Sequence, residues 1–302
     1  SVVAFSSDGK KVLTGSWDKT VKLWDLQGNL EQTLEHSDSV DAVAFSPDGK
    51  KVLTGLWNGQ AWLWDLQDNS AQIFQEHTDR VSAVAFSPDG KKMLTGSWDE
   101  TAKLWNLQGN VLHTLKHYSW VNTVAFSPDS EKVLTGSKDG QARLWETQEN
   151  LLLTTTSFEG HTDSVSAITF SPDGEKVLTG SKDGQARLWD LQGNSEQIFQ
   201  GFALTSVAFS PDGEKILTGL GNQTAKLWDI KGEGFQLLNG HSWDVLAVAF
   251  SPDGKKLLTG SRDRTAKLWD LEGKTLKNFG GITSIDSITF SPDGKKILTA
   301  SW

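Results

Sequence analysis

The tetrapeptide His161-Thr162-Asp163-Ser164 gathers an imidazole, a carboxylate and a hydroxyl, the groups of an acyl-transfer site. The imidazoles, however, are not unique. His36, His77, His117, His161 and His241 each precede a threonine by 18 residues, at Thr54, Thr95, Thr135, Thr179 and Thr259. Four residues beyond the threonine stands an aspartate in four of these five sets (Asp99, Asp139, Asp183, Asp263), and six further on a tryptophan (Trp105, Trp145, Trp189, Trp269). A nucleophile site needs one activated constellation, whereas this set recurs in register, so it reads as structural and no enzymatic activity is expected. The absence of cysteine excludes thiolate chemistry and disulfide frameworks, and neither a phosphate loop nor a His/Asp metal spacing is present, so no cofactor or metal is expected.

The elements that position these groups are repeats. The phenylalanine of Phe-Ser-x-Asp-Gly falls at Phe5, Phe45, Phe86, Phe126, Phe170, Phe209, Phe250 and Phe290, in steps of 39 to 44 residues. The tryptophan of Leu-Trp follows at Trp24, Trp64, Trp105, Trp145, Trp189, Trp228 and Trp269, giving eight starts and seven finishes. Within one unit, Val43–Phe45, Lys51–Gly55, Gln60–Leu66 and Ala71–Gln75 read as four strands. The first turn is Ser-Pro-Asp-Gly, where proline presets φ and glycine tolerates positive φ. Short, evenly spaced strands with no helical period predict an all-β, closed arrangement of antiparallel sheets.

The recurring Val-Ala-Phe-Ser-Pro-Asp-Gly-Lys … Leu-Thr-Gly-Ser-x-Asp … Leu-Trp-Asp pattern, with a histidine before most copies, resembles the WD-repeat β-propeller family over the whole chain. The likeness among copies is similar to that in highly repetitive bacterial, especially cyanobacterial, members. The resemblance implies four-stranded antiparallel blades, seven complete plus an incomplete eighth, near residues 1–35, 36–76, 77–116, 117–160, 161–200, 201–240, 241–280 and 281–302. The alternative is a closed seven-bladed ring with an extra hairpin. It also implies that each His, Thr, Asp and Trp set is a structural hydrogen-bond network: His77, Thr95, Asp99 and Trp105; His117, Thr135, Asp139 and Trp145; His161, Thr179, Asp183 and Trp189; His241, Thr259, Asp263 and Trp269. Asn58 and Asn222 stand where Asp is expected, and Gln200 and Gly281 where His is expected. Blades three, four, five and seven are therefore expected to hold complete networks, and the sixth to be the weakest.

In the family geometry, the residue before the turn aspartate and the residues four and six before each phenylalanine share one face, the top. Among the copies the bottom loops are near-identical, while these top positions vary. Trp17, Trp57, Trp98, Trp120 and Trp302 form an expected aromatic crescent, continued by Lys138, Lys182 and Arg262 as a basic arc. Arg80, Asp41, Asn122, Asp244 and Asp286 complete the candidate partner-binding set. Exposed tryptophan is normally avoided and interface hot spots favour Trp, Tyr and Arg, so this variety is expected to serve binding rather than packing.

These readings predict a non-enzymatic protein–protein interaction scaffold or sensor that binds a protein or peptide partner. A carbohydrate-binding propeller is the alternative, since indole faces stack on sugar rings. The formal charge of −9 opposes nucleic-acid binding. No apolar run approaches the roughly 20 residues of a membrane helix, so no membrane association is expected. The cytoplasm is the expected location. The chain is expected to be one propeller domain, 1–302, cropped from a larger polypeptide and fused there to other domains.

Overall fold

The computed structural model describes residues 2–147, 155–281 and 283–301. Every regular element among them is a strand. Seven antiparallel sheets of four strands run in chain order from first to fourth strand, and a two-stranded sheet, Ile285–Phe290 with Ile297–Ser301, follows. Two compact units are formed: Ser1–Asp139 with Arg143–Thr155, and Gly140–Ala142 with Thr156–Trp302.

The second sheet shows how the sequence builds a blade. Its strands are Val40–Phe45, Lys51–Leu56, Ala61–Asp65 and Ser70–Phe74. In the first turn Ser46 Oγ donates to Asp48 Oδ1 (2.6 Å) and accepts from the Lys51 amide (2.9 Å), and the Gly49 amide returns to the Ser46 carbonyl (2.9 Å). The first strand starts three residues earlier than its apolar pattern suggests, because it contains a bulge. Val40 pairs with Leu56 and Ala42 with Gly55, leaving Asp41 out of register. The same slip takes Ser82, Asn122, Ser166, Thr205, Leu246 and Asp286 out of register in later sheets.

The core lies between consecutive sheets. In the first unit Leu13, Val21, Leu23 and Leu34 of one sheet pack with Val40, Val52, Leu56 and Trp64 of the next. In the second, Leu178, Ala186, Leu188 and Phe199 meet Leu204, Ile216, Leu220 and Trp228. Both faces of a strand are thus covered, which explains the near-continuous apolar runs. The recurring Thr-Gly of the second strand marks closest approach: a Cβ at Gly55 would lie 2.7 Å from Val81 Cγ1 and 2.8 Å from the Val81 carbonyl oxygen.

Candidate functional site

The histidine networks form, in two versions. In the third sheet His77 lies 2.8 Å from Asp99 Oδ2 through Nδ1 and 2.7 Å from Thr95 Oγ1 through Nε2, while Trp105 Nε1 donates to that hydroxyl at 2.9 Å. The fifth and seventh sheets repeat this with His161, Asp183, Thr179 and Trp189, and with His241, Asp263, Thr259 and Trp269. Facing a carboxylate, Nδ1 carries the proton and Nε2 accepts from the threonine. Burial raises Asp99 and Asp263, but hydrogen bonds outweigh it. The histidine, Thr101 and the Thr78 amide hold Asp99 well below the carboxylate range, and Thr265, the Ser242 amide and the histidine hold Asp263 at about 2.

The fourth sheet is wired otherwise and corrects the expectation of a complete set there. His117 Nε2 meets Thr135 Oγ1 at 2.7 Å and Trp145 Nε1 donates to Thr135 at 2.9 Å. His117 Nδ1, however, accepts from Arg143 Nη1, and the guanidinium reaches Asp139 Oδ2 at 3.4 Å. Because arginine only donates, His117 carries its proton on Nε2, the reverse of the other networks. Burial, then the Arg143 charge, lower its pKa to about 3. In the second sheet, which lacks the aspartate, His36 Nδ1 turns to the Leu34 carbonyl (3.0 Å) and Trp64 donates to Nε2 (3.0 Å); burial lowers this histidine to about 4. All five histidines of the 18-residue register are engaged; four are buried, and His161 is half-buried with its side chain fully covered, as a scaffold requires.

The top positions are joined through the backbone. The amide of the residue before each turn aspartate, or its asparagine counterpart, donates to the carbonyl six residues before the phenylalanine. Trp57 donates to Ser39, Trp98 to Arg80, Lys138 to Trp120, Lys182 to Ser164 and Arg262 to Asp244, at 2.8 to 3.1 Å. These positions are therefore neighbours within a sheet. The bulge residue reaches the next sheet: Ser82 Oγ donates to the Val121 carbonyl (2.6 Å), Ser166 Oγ to Leu204 (2.6 Å) and Thr205 Oγ1 to Val245 (2.5 Å). The variety there does serve packing in part, contrary to the reading from the copies alone.

In the first unit these two rules assemble a continuous ladder. Trp17 and Trp57 meet edge to face at 5.5 Å. The Arg80 guanidinium lies 4.5 Å from the Trp57 ring and 4.4 Å from the Trp98 ring. Trp98 and Trp120 are parallel within 4° at 4.0 Å, and Lys138 Nζ sits 3.8 Å from the Trp120 ring. Two groups that close cannot share one ring face, so both faces of Trp98 and of Trp120 are covered. Asp41, the bulge residue, bonds Arg80 Nε through Oδ2 and accepts from Trp57 Nε1 at 3.3 Å through Oδ1, pinning the ladder's centre. Trp17 and Trp57 remain 45% and 41% exposed. Asn122, half-buried, is the bulge residue of the fourth sheet.

The other predicted residues lie in the second unit. Arg262 Nη1 stands 3.7 Å from Asp244 Oδ2, Lys182 is exposed, and Asp286 accepts from Ser284 Oγ at 2.8 Å, its pKa raised by burial. Trp302 lies outside the described residues. Two participants escaped sequence reasoning. Arg143 was hidden because its position is occupied by a basic residue in most copies. Tyr118, 83% exposed and 5.3 Å over Arg143, is the chain's single tyrosine, which was the available signal.

The WD40 profile, described as WD domain, G-beta repeat, matches residues 1–25, 28–65, 69–106, 109–146, 152–190, 193–229, 233–270 and 273–302. The chain belongs to the WD40 family. Most matched segments begin in the turn before the fourth strand of one blade and end at the third strand of the next, so a WD40 repeat laces neighbouring sheets together. WD40 propellers generally act as protein-interaction scaffolds, typically bind proteins or peptides, and are generally not enzymes. A search among curated proteins returned no significant match.

Proposed function

We propose that this WD40 chain is a non-enzymatic scaffold that grips a protein or peptide partner through the top of its first four blades. The ladder Trp17–Trp57–Arg80–Trp98–Trp120–Lys138 carries the reading. Stacking and cation–π contacts of about 0.5–2 kcal/mol each hold it rigid before any partner arrives, which lowers the ordering cost of association. Its rings also favour a protein over a carbohydrate. A sugar needs an open ring face, and those of Trp98 and Trp120 are taken by each other and by cations. A cytoplasmic location, fusion to further domains and a sensor role in a bacterial signalling protein belong to the same proposal. They rest on the absence of cysteine and on the likeness among the repeats.

The test changes the exposed ends and leaves the stacked middle alone. A Trp17→Ser, Lys138→Glu double variant is expected to melt like the parent and to lose a partner that the parent retains from a lysate of the source organism. Identical captures by both proteins would refute the assignment. Binding of the parent to a glycan array, lost in the variant, would transfer the site to carbohydrate.

A further inference from the structure

In the first, second and fifth blades a lysine that opens the second strand makes an ion pair at the bottom of the sheet. Lys11 pairs with Glu31 at 3.0 Å, Lys51 with Asp65 at 2.5 Å, and Lys176 with Glu196. Glu31 and Glu196 are both bulge residues of their fourth strands, skipped between Leu23 and Trp24 and between Leu188 and Trp189. The bulge aims them at the lysine.

Among the described residues the sixth blade has no such pair, and neither have the third and the seventh. Its fourth strand, Phe235–Asn239, pairs without a slip and sets Phe235 directly opposite Trp228. The position that would carry the bulged glutamate does not exist, and among the described residues no ion pair joins Lys215 to Asp229. Around that opening lies a cavity of about 490 Å³, lined by Lys215, Asp229, Glu233, Phe235, Leu271 and Glu272 among others. Phe235 is 51% exposed, its ring 4.2 Å from Lys226 and 4.8 Å from the Trp228 ring. The turn that leads to it, Asp229-Ile-Lys-Gly-Glu-Gly, replaces the Asp-Leu-Gln-Gly-Asn of other copies and brings in Glu233.

We infer that this groove is a second binding site, in the second unit, for an extended peptide that seats an apolar side chain against Phe235 and Leu271 with a lysine or arginine on either side. The volume falls within the range of small-ligand sites, roughly 300–1,000 Å³, and holds one or two side chains. Three carboxylates line it against the Lys215 ammonium, with Lys226 on the Phe235 ring beside it, so the groove is net acidic and the complementary flanks are cationic.

The probes are fluorescein-labelled hexapeptides carrying Phe, Leu, Ile or Trp between two lysines, with a matching set in which glutamate replaces lysine, read by anisotropy at low salt. At least one basic peptide is expected to bind about tenfold more tightly than its acidic counterpart. Phe235→Ser and Glu272→Lys, both at the surface, should each weaken it by about tenfold with unchanged melting. The Trp17→Ser, Lys138→Glu variant should bind it as the parent does, which separates this site from the first. No binding by any basic peptide, equal binding by the acidic set, or indifference to both groove variants would overturn the inference.

Discussion

Residues 138–145 and 182–189 are the same octapeptide, Lys-Asp-Gly-Gln-Ala-Arg-Leu-Trp, yet they make two different sets of contacts. In the fifth blade Asp183 bonds His161, and Arg187 turns outward, its Nε donating to Gln185 Oε1 at 2.9 Å. In the fourth blade Arg143 turns inward and takes the histidine's Nδ1. The cause lies one residue before each histidine. A Cβ at Gly160 would meet the Arg187 guanidinium, which in the fifth blade lies over this glycine. The fourth blade has Lys116 there, and Arg143 is displaced into the network. The next residues repeat the lesson, since Lys138 covers Trp120 whereas Lys182 has Ser164 at the corresponding place. Identical turns are thus given different surroundings by the loops that enter their blades.

The sharpest way to separate the two blades is to remove the carboxylate from each. Asp139→Asn leaves the Arg143 guanidinium, 6% exposed, buried beside an amide, and should cost about 3–5 kcal/mol in urea unfolding. Asp183→Asn still offers an oxygen to the Nδ1 proton of His161 and should cost about 1–2 kcal/mol. Equal losses would break the distinction.

Acid should also discriminate. His117 is held at about 3 against an ordinary 6.5, so the unfolded chain binds this proton first and stability falls as pH drops through 6.5 toward 3. Between about pH 7.5 and about pH 5 this one group should cost about 2 kcal/mol, and His117→Gln should remove that part of the pH dependence. A variant as acid-sensitive as the parent would contradict the burial of a neutral His117.

The smallest effect on stability, within about 1 kcal/mol, is expected from Lys116→Gly, which opens the outward path for Arg143. Its consequence is in the wiring rather than in the melting temperature. Hydrogen exchange should show the sixth blade, without histidine or turn aspartate, less protected than the fifth, and equal protection would count against the networks as stabilisers.

Much of this was legible in the sequence because repetition turns spacing into register. The 18-residue interval from histidine to threonine fixed which hydroxyl each imidazole meets, and His77, His161 and His241 meet those threonines. The wiring of His117 was not legible, since it depends on steric room beside Arg143 that an identical octapeptide cannot encode. The tryptophans of the ladder and Asp41 stood out as varying top positions, but the bonds of Asp41 to Arg80 and Trp57 depend on a bulge, and a bulge has no strand-period signature. The groove of the sixth blade was not legible, because it depends on where the divergent turn 229–234 places Glu233 and Phe235.

The central claim, that the entering loop sets the wiring, is tested most directly by long-range ¹H–¹⁵N correlation spectra of the histidine rings at neutral pH. The account predicts a proton on Nδ1 of His161 and on Nε2 of His117, and transfer of the His117 proton to Nδ1 in Lys116→Gly. A proton on Nδ1 of His117 in the parent, or no change in the variant, would contradict it.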